Sequence, residues 1–87
     1  MTKLLGTEQL GRNIRRIRMD HGFTQEQTVA KLQLLGSPLS RSTFSLIEMG
    51  RGNIFVSDLM ALRMVFQVDY EEFFRDISPG RPGKSEE

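Results

Sequence analysis

Apolar residues in the first part of the chain recur every three or four positions. Leu10, Ile14 and Ile17 fall on one side of a helix running from about Thr7 to His21. Gly22 stands where a left-handed residue ends such a helix, and Phe23 supplies the apolar position after the cap. Thr24, with Gln27 three residues on, has the spacing of a capping box and opens a second helix. Val29, Leu32 and Leu35 give that helix its buried side, and Gly36-Ser37-Pro38 breaks it.

Ser40 is the expected N-cap of a third helix, which stops at Gly50. Phe44 and Ile47 point one way; Arg41, Ser42 and Ser45 are left for the opposite side. After the loop Arg51-Gly52-Asn53, Ser57 or a neighbour caps a fourth helix carrying Leu59, Leu62 and Phe66. Asp69, with Glu72 three residues later, caps a fifth, along which Tyr70, Phe73, Phe74 and Ile77 follow at helical spacing. No segment sustains a two-residue alternation, so the pattern predicts an all-α fold. Residues 78–87 hold two Pro, two Gly and mostly polar residues. The expected organisation is one domain over residues 1–77 and a disordered tail over 78–87.

A chain of 87 residues is enough for one small domain. Its core is modest, and dimerisation would help to stabilise it. The absence of cysteine removes disulfides and thiolate metal sites and fits a reducing cytoplasm. No apolar run approaches the ~20 residues that span a bilayer, so a membrane partner is not expected. Met1 to Gly6 lacks the apolar stretch of a signal peptide.

The net charge of +1 conceals an asymmetry. Residues 1–53 carry eight Lys/Arg against four Asp/Glu, a balance of +4; residues 54–87 carry four against seven, a balance of −3. Arg12, Arg15, Arg16, Arg18, Lys31, Arg41 and Arg51 make the first part a candidate phosphate-facing half, beside the plainer reading of a solvated charged surface. The third helix adds chemistry to that charge. An Arg can bond guanine bidentately, and Ser or Thr can bond several base edges or phosphates.

Catalytic chemistry has little to work with. His21 is the single histidine and sits at a helix end, where a capping role is the simpler reading. Asp58, Asp69, Glu71 and Glu72 read as cap and surface carboxylates, and the five Met residues as packing. No enzyme activity, metal or cofactor is expected.

The segments Ile14-Arg15-Arg16-Ile17-Arg18, Gly22-Phe23-Thr24-Gln25, Ser40-Arg41-Ser42-Thr43, Ile47-Glu48-Met49-Gly50-Arg51 and Phe66-Gln67-Val68-Asp69-Tyr70-Glu71-Glu72-Phe73 occur in an order and at a spacing that resemble the Cro and phage-repressor type helix-turn-helix, or XRE, family. The resemblance covers roughly residues 9–74. It implies a compact five-helix, lambda-repressor-like DNA-binding domain whose third helix enters the major groove. Arg41, Ser42 and Leu46 match base-reading positions, Leu46 through a thymine methyl; a partly buried core role is the other reading of Leu46. Gln25, Ser40, Thr43, Ser45 and Arg51 match positions at or beside phosphate, Gln25 with the second helix's dipole behind it; a plain helix-start role is its alternative. Arg18 and Glu48 match a partly buried ion pair joining the first and third helices.

The chain departs from the family pattern in three places. The connection between second and third helices, within Lys31 to Leu39, is about five residues longer than the usual tight turn and is expected to extend the second helix. Val29 stands where a small alanine is usual. Arg63 stands where a small apolar residue is usual; there it can snorkel or pair with Asp69 or Glu72.

The resemblance implies a sequence-specific transcriptional regulator, a repressor binding double-stranded DNA as a homodimer at an inverted repeat. Phe55, Val56, Phe74 and Ile77 are its candidate dimer contacts, with core filling as their alternative role. The competing expectation is an antitoxin-like module that neutralises a protein partner, with the tail from Ser78 as the partner segment.

Overall fold

The computed structural model describes residues 3–4 and 8–77. Among the described residues five helices form the body: α1 (Glu8–Asp20), α2 (Gln25–Leu34), α3 (Arg41–Glu48), α4 (Val56–Phe66) and α5 (Tyr70–Phe73). The fold class is all-α, and the helix order is the one that the apolar periodicity predicts. The expected tail over 78–87 lies outside the described residues.

The caps are built from local chemistry. At α2 the Gln27 N–H donates to the Thr24 hydroxyl (3.0 Å) and the Thr24 N–H donates to the Gln27 side-chain Oε1 (2.8 Å), completing the capping box. At α3 the Ser40 hydroxyl accepts from the Thr43 N–H at 3.1 Å. The helices α1, α2 and α3 all stop in the same way. Gly22, Gly36 and Gly50 have φ of 71°, 89° and 75°, and the N–H of the next residue reaches back to the carbonyl five positions earlier: Phe23 to Arg18, Ser37 to Leu32 and Arg51 to Leu46.

One core joins all five helices. Leu10, Ile14 and Ile17 of α1 meet Val29, Leu32, Phe44, Ile47, Leu59, Leu62, Phe66 and Phe73. α1 packs on α3 and α5, and α2 packs on α3 and α4. Two contacts fix the place of α1. A Cβ on Gly11 would stand 2.5 Å from the Ile47 carbonyl oxygen and 2.7 Å from that of Glu48, so only glycine lets α1 lie this close over the end of α3. Asn13 is buried and donates to the carbonyls of Phe73 (2.8 Å) and Arg75 (2.7 Å), which ties the end of α5 to α1.

Five local expectations are corrected. Leu35 is 46% exposed, because α2 ends at Leu34 and Leu35 is its C-cap. The chain is not helical throughout: β1 (Lys3–Leu4) pairs antiparallel with β2 (Ile54–Phe55), two residues a side, too short to show an alternation. α4 starts one residue before Ser57, and the Asp58 carboxylate accepts from the Phe55 N–H at 3.0 Å instead. α5 is a single turn whose Asp69 makes no side-chain cap bond, and Asp76 at φ 63° turns the chain away before Ile77. Of the Met residues expected to pack, Met19, Met49, Met60 and Met64 are each more than half exposed. No helix among the described residues is long and apolar enough to cross a membrane.

Candidate nucleic-acid interface

α3 is an eight-residue helix with two unlike sides. Its core side, Phe44, Ile47 and Glu48, is buried. The opposite side carries Arg41, Ser42, Ser45, Leu46 and Met49, spaced so that they share one stripe. Arg41 and Ser42 are exposed, Leu46 is 42% exposed, and Ser45 is half-buried. A shallow cleft lined by Gln25, Arg41, Ser42, Ser45 and Leu46 runs between this stripe and the start of α2. Arg41 and Arg51 lie within salt-bridge distance of no carboxylate among the described residues, so their charge is available to a ligand.

A buried polar hub holds the angle of α3. The Arg18 guanidinium donates to both Glu48 oxygens, Nε to Oε2 at 2.6 Å and Nη2 to Oε1 at 3.0 Å. Arg18 Nη1 also donates to the Phe23 carbonyl at 2.8 Å, at the turn between α1 and α2. The pair is 11% and 3% exposed. Gln25 joins the same hub, its Nε2 donating to Glu48 Oε1 at 2.9 Å. The first residue of α2, the last residue of α3 and the last turn of α1 are thus tied at one carboxylate. Bidentate charge-assisted bonds in a buried place fix geometry as well as energy.

The remaining expected site residues occupy different places. Ser40 and Thr43 are engaged in the cap, where the Ser40 hydroxyl also donates to Thr43 Oγ1 at 3.1 Å. Arg51 is exposed just beyond Gly50. Phe55 (37% exposed) and half-buried Val56 stand at the junction of β2 and α4, whereas Phe74 (40% exposed) and Ile77 follow α5. Ile77 packs against the core cluster. Arg63 meets neither carboxylate proposed for it; its guanidinium lies over the Tyr70 ring, 5.0 Å from the centroid.

Met49 and Gly11 were not among the expected site residues. Met49 is exposed at the end of the α3 stripe, and its position three after Leu46 and four after Ser45 is the signal for it. Gly11 touches no ligand surface but sets the seat of α3, and its signal is a lone glycine inside a helical pattern.

Comparison of the sequence with protein-family models and with curated proteins gave no match. The structure is similar to that of the restriction-modification controller protein C.AhdI from Aeromonas hydrophila, with a TM-score of 0.68 at 22% sequence identity over 77% of this chain and 94% of that one. The protein therefore has the fold of that controller protein, built in this chain from five helices among the described residues.

Proposed function

We propose that this protein is a sequence-specific DNA-binding transcriptional regulator that lays α3 in the major groove. The observation that carries the reading is the α3 stripe itself. Arg41, Ser42, Ser45 and Leu46 are presented together on a rigid helix whose opposite side is core. Arg41 would bond guanine, Ser42 a base edge, and Leu46 a thymine methyl. Gln25 keeps one Nε2 hydrogen for a phosphate while the other is held by Glu48. Ser40, Thr43, Ser45 and Arg51 flank the stripe along the backbone path. A neighbour that is a controller protein agrees with this role.

One such domain makes few base contacts, so the working unit in this reading is a homodimer on an inverted repeat, acting as a repressor. The exposed apolar rings of Phe55 and Phe74, with Val56 and Ile77 beside them, supply its contact surface. The test is selection of bound duplexes from a random library at two salt concentrations. An enriched inverted repeat, with affinity falling as salt rises, is the expected result. No enriched sequence would overturn the reading and direct attention to a protein partner.

A further inference from the structure

A second cleft adjoins the first on its α1 side, lined by Glu8, Arg12, Arg15, Gln25, Ser45, Glu48 and Met49. It shares Gln25 and Ser45 with the cleft beside the α3 stripe, so the two form one continuous surface. Four charged side chains line it, and three are already engaged. Arg12 Nη2 meets Glu8 Oε1 at 3.3 Å, and Glu48 is held by Arg18 and Gln25. Arg15 is exposed and, among the described residues, has no carboxylate within salt-bridge distance. Its neighbour Arg16 turns the other way, toward Asp20 (3.7 Å) and the Glu72 carbonyl (3.3 Å). One cation of α1 is thus left uncommitted at the edge of the surface that α2 and α3 present.

We infer that Arg15 is a phosphate-binding residue, seating α1 on the DNA backbone next to the phosphate that Gln25 meets. The inference rests on the DNA-binding reading and extends the interface from two helices to three. The chemistry is that of a guanidinium with five N–H donors and no competing acceptor, facing a polyanion. A phosphate contact of this kind carries no sequence information; it adds affinity and fixes the angle at which α3 enters the groove.

The test compares wild type, Arg15→Gln and Arg75→Gln on the selected duplex and on a random-sequence duplex between 50 and 200 mM salt. Arg75→Gln removes the same charge where Glu72 already holds it (2.9 Å) and so reports the general field. Arg15→Gln is expected to weaken both duplexes by the same factor and to reduce the salt slope by about 0.9. The melting temperature should be unchanged, since the side chain is solvent-exposed. A slope equal to that of wild type or of Arg75→Gln would overturn the inference, as would a loss confined to the selected sequence. If wild type binds neither duplex, the DNA-binding reading itself falls and takes this inference with it.

Discussion

Glu48 is the residue that ties α1, α2 and α3 together. Its two oxygens take three hydrogen bonds, two from Arg18 and one from Gln25. Removing the carboxylate leaves a guanidinium that is 11% exposed without its partner. Glu48→Ala is expected to destabilise the fold by roughly 3–5 kcal/mol. For a domain of this size, that lowers the thermal midpoint by more than about 10 °C. Thermal unfolding followed by circular dichroism checks it, and a midpoint within about 2 °C of wild type would contradict the role given to the hub. The hub also changes the reading of Gln25. The family resemblance implies a phosphate contact for it at the start of α2; its bond to Glu48 makes it a joint between α2 and α3. That bond spans 23 residues, and no local pattern reports it.

The same limit appears at the level of elements. Helix ends are legible because their causes lie within a few residues: the Thr24–Gln27 box, the Ser40 cap and the glycines at 22, 36 and 50 all act where the sequence places them. The start of α4 is less so, because Asp58 caps from inside the helix and Ser57 stands beside it as an equally good local candidate. The β1–β2 pair is set by a contact between residues far apart in the chain, Lys3 with Phe55 and Leu4 with Ile54, rather than by its own two-residue strands. Arg63 could be paired on paper with Asp69 or Glu72 by charge, yet the Tyr70 ring takes the guanidinium. The seat of α1 on α3 depends on Gly11, whose importance comes from the carbonyls of Ile47 and Glu48. Gly11→Ala is informative because two effects oppose each other. Helix propensity favours alanine by ~1 kcal/mol. The added Cβ meets backbone at 2.5 Å, which no side-chain movement relieves, and overpacking of this kind costs about 1–3 kcal/mol or more. The clash is expected to win, with a net loss of stability in denaturant unfolding; a gain would show that α1 moves off α3 freely.

For the whole molecule, the charge balance of +4 before residue 54 and −3 after it now has a spatial meaning. Arg15, Arg41 and Arg51 are exposed and without carboxylate partners among the described residues, while Arg75 is held by Glu72. Three of the four arginines that are exposed and without a carboxylate partner among the described residues thus belong to the part of the chain that holds the α3 stripe; the fourth, Arg63, lies over the Tyr70 ring. The acidic part carries Phe55 and Phe74, whose exposed rings are the proposed dimer surface. Phe74→Lys leaves the core intact, since Phe73 rather than Phe74 is buried. It is expected to shift the protein to a monomer in sedimentation velocity and to weaken binding to an inverted repeat far more than to a single half-site. A dimer of unchanged strength would place the interface elsewhere on the domain.

If the outer face of α3 reads bases, selecting duplexes from one random library with wild type and with Arg41→Ala in parallel will separate the two proteins. Wild type is expected to enrich an inverted repeat and the variant to lose preference at one guanine in each half-site, with about 1–3 kcal/mol less affinity for the wild-type sequence. Identical preferred sequences for the two proteins would contradict base reading by this face.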